Sequence, residues 1–313
     1  MQTEEHTIHE VTDTPAENAA VHTNDEITAP EAAEVLHGQE EHEEAGHVAH
    51  EISLAPEPVF KIGNFTVTNS LINSWAVVIL LVIFGIVLSR KISKIPRGIQ
   101  NAFEMIIEAA LSVMDSVTGS REKSQQFFPL VFTLFIFILI NNWLGIFPGI
   151  GSIGYTAMHH GHETFVPYFR GATADINTTL ALALLAVIGS NILGFIVVGF
   201  WRYFNKFVNI KEILVIPKKI LKEPTVIIIN PIKFFVGLIE IVSEIAKVAS
   251  LSFRLFGNVF AGEVLLMSIA AIFAFILPVP FMFLEILVGV IQALIFSMLT
   301  LVYLTVATTA EEH

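Results

Sequence analysis

From Thr225 to Ile276 the chain carries an apolar run too long for one perpendicular bilayer crossing and too oily for a helix in water. As a helix rising ~1.5 Å per residue it would reach roughly 78 Å, over twice the ~30 Å hydrocarbon core. It is either one long, strongly tilted helix or two spans with a hidden turn. Four further apolar segments have spanning length, at about 71–89, 126–147, 177–200 and 281–307. A soluble domain could not stay in solution with 54% hydrophobic and 15% charged residues. The fold class expected is therefore an all-α polytopic membrane protein.

The net acidity is local. Residues 1–58 hold 15 of the 29 acids and no Lys or Arg, so the remainder counts 17 minus 14, or +3. With few large apolar groups, 1–58 is expected to be a disordered acidic, His-rich tail, and 59–313 the transmembrane domain. His37, His42, His47 and His50 are spaced for no closed metal site, so neither a metal nor a cofactor is expected. Zero cysteines exclude disulfides, cysteine-ligated metal and thiolate chemistry. The first residues lack a basic n-region and an apolar h-region, so the first span is expected to direct insertion.

Loop cations orient the chain. Arg90, Lys91, Lys94, Arg97, Arg121 and Lys123 separate the first two spans, and Arg202, Lys206, Lys211, Lys218, Lys219 and Lys222 precede the long segment. These belong on the cytoplasmic side, whereas only Lys61 and Arg170 fall in segments assigned outside. The expected topology has five crossings, the N-terminus outside and the C-terminus cytoplasmic. Residues 95–119 place Glu104, Glu108 and Asp115 on one face of an otherwise apolar helical pattern, as a helix lying along the cytoplasmic surface would. Residues 148–174, rich in Gly and His, read as an outer loop.

The long segment is not uniformly apolar: it contains Lys233, Glu240, Glu244, Lys247, Arg254, Asn258 and Glu263. A guanidinium stays charged at membrane depth, where burial costs at least ~2.5 kcal/mol, so Arg254 needs an anionic partner or a water-filled path. At ~100° per residue, Glu240, Lys247, Arg254 and Ala261 share a direction, with Ser243, Ser250 and Asn258 close to it. Glu244 can neutralise Lys247 at i,i+3. The last span offers Glu285, Gln292 and Tyr303 on one face, with small Gly289 leaving space beside them. Pro278 and Pro280 are expected to enforce the reversal between the two helices. In an antiparallel hairpin equal depth means equal index sums. Here 254 plus 292 is 546 and 263 plus 285 is 548, which sets Arg254 level with Gln292 and Glu263 level with Glu285. Two carboxyls at one depth are expected to form a proton relay.

The run SLSFRLFGNVFAGE, answered by QALIFSMLTLVYL from Gln292 to Leu304, resembles the a subunit of the F-type ATP synthase membrane sector. Supporting pieces are FPLVFTLFIFILINNWLGIFPG from Phe128 and ATADINTTLALAL from Ala172. The resemblance covers about 60–313. It implies a single long tilted penultimate helix forming a hairpin with the last, and a stator subunit of the bacterial plasma (inner) membrane. It further implies two half-channels carrying H⁺, with Na⁺ as the alternative ion, to and from carboxylates of a rotating c-ring. Arg254 matches the arginine facing the ring. Asn258, Glu263 and Gln292 match the outer half-channel, and Glu240, Lys247 and Ser250 match positions on the cytoplasmic side of that arginine. Glu285 stands where some bacterial members have histidine. The implied partners are c-ring subunits, the subunit b peripheral stalk, the rest of the complex and membrane lipid, with no nucleic acid. The chain itself would do no bond chemistry, and it has no Walker phosphate loop. A stand-alone secondary transporter should show paired repeats with broken helices, and none is visible. A structural subunit without conduction should tolerate loss of Arg254.

Overall fold

The computed structural model describes residues 56–90, 98–147, 149, 152–159, 162–199, 226–273 and 276–309. All but the last three residues of the expected tail lie outside these, as do the basic segments 91–97 and 200–225. Among the described residues the elements run β1 (Pro58–Ile62), β2 (Phe65–Thr68), α1 (Asn69–Arg90), α2 (Ile99–Thr118), α3 (Arg121–Ile146), β3 (Gly154–His159), β4 (His162–Pro167), a 3-10 turn (Ala172–Ala174), α4 (Ile176–Val198), α5 (Val226–Ile272) and α6 (Pro278–Thr308). Five of these helices are long and apolar enough to cross a membrane: α1, α3, α4, α5 and α6.

The long apolar run is one helix. α5 continues unbroken for 47 residues, about 70 Å. Its oily circumference is largely unpartnered, with Phe235, Ile239, Ile245 and Phe253 all exposed. One seam of it is buried. Leu251 and Leu255 pack with Leu134 and Ile138 of α3, Ala183, Ala186 and Val187 of α4, and Ala293 and Phe296 of α6. The small alanines of α4 and α6 allow the backbones to approach, as packing between membrane helices requires.

α2 is the helix expected within residues 95–119, and it meets α3 in a tight corner. Arg121 reaches back from the first turn of α3 to Asp115 at 2.9 Å and Glu108 at 2.6 Å. Met114 of α2 packs into a second cluster with Phe127, Val131, Leu301 and Leu304. α3 starts at Arg121 rather than near 126, so Arg121 and Lys123 belong to its polar first turn and not to a loop. Pro278 and Pro280 likewise sit in the first turn of α6, where a missing N–H costs nothing, and not in the reversal itself.

Two antiparallel hairpins decorate the opposite end of the bundle, the second of them within residues 148–174, where only a loop was expected. β1 pairs with β2, and β3 with β4 in the register Tyr155↔Val166 and His159↔His162. The Tyr155 hydroxyl donates to Pro58 O at 3.1 Å, tying one hairpin to the other. Asn69 Nδ2 donates to Pro167 O at 3.3 Å, tying both to the start of α1.

Candidate functional site

The hairpin end of α5 and α6 opens into a cavity of about 410 Å³ whose lining includes Glu57, Asn142, Arg170, Glu263 and Glu285. Each element delivers its polar group for a local reason. Glu263 lies nine residues from the end of α5, and Glu285 seven residues into α6, so both sit one to three turns below the helix ends. Asp175 caps α4 by accepting from Asn177 N, and it also accepts from Ser70 Oγ at 2.7 Å. That cap fixes the preceding segment, which carries Arg170 inward.

Arg170 is buried and grips Glu263 at two points: Nε lies 3.1 Å from Oε1 and Nη2 lies 3.1 Å from Oε2. Glu263 thus has a guanidinium, not a second carboxylate, as its ion-pair partner. The sequence reading missed Arg170 as a site residue because it stands 93 positions away in a segment assigned to a loop. A lone cation in an outer segment was the only signal of it.

Glu285 is buried against α5. A Cβ at Gly262 would overlap its carboxylate, so this glycine forms the notch that receives it. Gly289 does not leave empty space beside the polar face of α6. Asn142 of α3 fills that space, with its Nδ2 donating to Gly289 O at 3.1 Å while Thr173 Oγ1 donates to Asn142 Oδ1 at 2.6 Å.

Below the cavity, Asn258 Nδ2 donates to Gln292 Oε1 at 2.7 Å. The buried Gln292 Nε2 has no partner among the described residues. The index sums were therefore off for Arg254. Contacting pairs sum to 547 (Gly262 with Glu285) and 550 (Asn258 with Gln292), so Gln292 is level with Asn258, one turn nearer the cavity than Arg254. Index sums assume parallel axes, and crossing helices drift out of step with distance from the turn.

Arg254 lies on an exposed strip of α5 together with Ser250, Gly257, Asn258 and Ala261. Among the described residues its hydrogen-bond partner is Ser250 Oγ at 3.4 Å. Two turns toward the α2 end, Lys247 is paired with Glu244 at 2.6 Å, as the i,i+3 spacing predicts, and sits 5.3 Å from the Tyr303 ring centroid. Glu244 also accepts from Asn191 Nδ2 of α4 at 3.1 Å. Half-buried Glu240 follows seven residues further along the same direction. The predicted residues thus fall into three groups along α5: Glu263 and Glu285 at the cavity, Asn258 and Gln292 beneath it, and Arg254 with Ser250, Lys247 and Glu240 beyond.

Fold and site together define a multi-pass α-helical membrane protein built around a polar seam between its two last helices. A model of the ATP synthase A chain family matches residues 71–305. The chain is similar to ATP synthase subunit a of Campylobacter jejuni (strain RM1221), 34% identical over 236 residues that cover 75% of this chain and 88% of the relative. It is 34% identical to that of Syntrophobacter fumaroxidans over 255 residues, 80% of this chain and 88% of the relative. Subunit a of Moorella thermoacetica is 30% identical over 249 residues, with 80% and 94% covered. The chain belongs to the ATP synthase A chain family, and so to the membrane sector of that complex.

Proposed function

We propose that this chain is the stator subunit through which ions pass to and from the carboxylates of a rotating c-ring, without bond chemistry of its own. The observation that carries this reading is the position of Arg254. It is an exposed guanidinium on a membrane-spanning helix, bonded only to Ser250 among the described residues, one turn beyond the polar cavity path. A permanent cation in that position needs a carboxylate from a partner.

An ion enters from outside through the cavity holding Glu263 and Glu285 and passes Asn258 and Gln292, whose free Nε2 can engage water. It then neutralises a ring carboxylate, which can rotate into lipid once uncharged. After nearly a full turn the carboxylate reaches the inner side near Lys247 and Glu240 and releases the ion. Arg254 stands between the two paths, favouring the ionised carboxylate beside it and blocking a direct leak. The ion is H⁺, with Na⁺ as the alternative to be separated by pumping assays with and without Na⁺. The stalk subunit b and the remaining complex would hold the chain against the ring in the bacterial inner membrane, with the hairpin end outside.

ATP-driven pumping by inverted vesicles tests the reading. Arg254→Lys keeps charge but loses the planar fork, and should abolish coupled transport; Arg254→Ala should in addition permit passive leak. Normal pumping by either variant at matched assembly would overturn it.

A further inference from the structure

The first hairpin is apolar on one face and polar on the other, and only the root of its apolar face is covered. Its register pairs Phe60 with Val67, Lys61 with Thr66 and Ile62 with Phe65 across a two-residue turn, in which Gly63 takes a φ of 61°. Directly paired residues share a face, and side chains alternate along each strand. Phe60, Ile62, Phe65 and Val67 therefore form one face, and Lys61 and Thr66 the other. Val67 is fully buried at the root of the hairpin, whereas Phe60, Ile62 and Phe65 are 46%, 59% and 58% exposed. Three large apolar side chains projecting together mark a surface that meets something other than water.

What meets them follows from where the hairpin stands. β2 ends at Thr68 and α1 begins at Asn69, so no linker separates the two. Asn69 N donates to Glu57 O at 3.1 Å, and Thr68 Oγ1 lies 3.1 Å from Ser70 Oγ, which holds the hairpin at the start of the helix. α1 has 22 residues and ends in Arg90, and its length of about 33 Å is close to the ~30 Å hydrocarbon core. With Arg90 among the headgroups of one leaflet, Asn69 stands at the boundary of the other, and the hairpin stands there with it. From that boundary α1 exposes Trp75, Ile79, Val82, Ile83 and Ile86 at helical spacing, a stripe facing lipid. The apolar face of the hairpin begins at the level where this lipid-facing wall ends.

We infer that the β1–β2 hairpin is a membrane anchor, which lays Phe60, Ile62 and Phe65 into the lipid interface of the leaflet at its end of the bundle. Lys61 and Thr66, on the opposite face, meet water and the headgroups. The chemistry is that of an interfacial amphipathic element: apolar side chains enter the headgroup and acyl boundary by roughly 5–10 Å, and a cation on the polar face is drawn to anionic lipid. This anchor depends on the membrane-spanning fold and not on the route taken by the ion. It also has a mechanical consequence, because Pro58 O accepts from the Tyr155 hydroxyl at 3.1 Å and the second hairpin supplies Phe165 and Pro167 to the cavity wall. Seating the first hairpin in lipid thus sets the height of the cavity against the bilayer.

The test uses a chain that has no cysteine of its own. Ile62→Cys, Phe65→Cys, Lys61→Cys and Thr66→Cys are made one at a time in the complete ATP synthase, with reactive cysteines of the other subunits replaced. All four positions are exposed or half-buried, so the packed core is left intact. Each variant is labelled with a thiol-reactive fluorophore and reconstituted in liposomes of phosphatidylcholine and phosphatidylglycerol. Two quenchers are compared: a lipid with a nitroxide near the headgroup end of its acyl chain, and iodide present on both sides of the membrane. The lipid nitroxide should quench the labels at 62 and 65 about threefold more than those at 61 and 66, and iodide should reverse the order. Iodide quenching at 62 and 65 equal to that at 61 would mean that the face is open to water. Protection of 62 and 65 from both quenchers would mean that another protein subunit covers it, and equal lipid quenching at all four would mean that the hairpin has no amphipathic orientation. Each of these three results would overturn the inference.

Discussion

Arg170 holds Glu263 across 93 positions of sequence, with Nε 3.1 Å from one carboxylate oxygen and Nη2 3.1 Å from the other. Removing one partner of this partly buried pair leaves an uncompensated charge and costs about 1 to 3 kcal/mol. Arg170→Gln should therefore reduce both the assembled complex and its pumping, and Arg170→Lys should retain part of each. The double variant Arg170→Gln, Glu263→Gln should lose less than the two singles combined, by about 1 kcal/mol or more in thermal unfolding of the complex. Additive losses would show that the two side chains act separately.

Gly262 and Glu285 compete for one volume. Gly262→Ala should displace the carboxylate, costing about 1 to 3 kcal/mol and most of the pumping. Glu285→Asp, one methylene shorter, should restore activity in that background while harming the parent. The four-member cycle, read as pumping at matched assembly, checks this; failure of the aspartate to rescue would place the defect elsewhere.

The Asn258–Gln292 amide bond fixes distance as well as chemistry. Gln292→Leu should leave Asn258 without its acceptor, worth about 1 kcal/mol, and slow ion transfer. Exchanging the two residues keeps the summed side-chain length, so Asn258→Gln with Gln292→Asn should recover most of the rate lost by either single change. Pumping rates of the three variants decide it.

The α2–α3 corner should be acid-sensitive. The Ser124 hydroxyl and the Arg121 guanidinium hold the Asp115 carboxyl below the usual carboxylate range. A depressed value means that the contribution is complete above the unfolded value of ~3.9 and is lost only as pH falls through the lower folded value. Hydrogen exchange in α2 should be faster in Arg121→Gln than in the parent at neutral pH, and the two should converge under strong acid.

Much of this architecture is legible in the sequence, because membrane helices announce themselves by length and oiliness. The five spans fall within a few residues of expectation, and Lys247 meets Glu244 where helical spacing puts it. The hairpins were not legible: four- to six-residue strands rich in Gly, His and Thr carry no periodicity long enough to separate them from loop. Nor was the grip of Arg170 on Glu263, since no local pattern encodes a contact between a loop and a distant helix. The depth of Arg254 relative to Gln292 needed the crossing geometry of α5 and α6, which one-dimensional arithmetic lacks. The roles of Arg254 and its neighbours came from resemblance and remain attached to the transport tests above.

An unbroken α5 also bears on how chains of this kind can change in length. A single residue inserted between Leu255 and Asn258 would turn everything beyond it by ~100° and advance it by ~1.5 Å. Leu251 and Leu255 could then stay in their seam only if Asn258, Gly262 and Glu263 left Gln292, Glu285 and Arg170. Because no loop interrupts the helix between these contacts, single-residue insertions and deletions should be poorly tolerated in this stretch. Length changes should be tolerated better in the hairpins, which stand outside these helix-to-helix contacts.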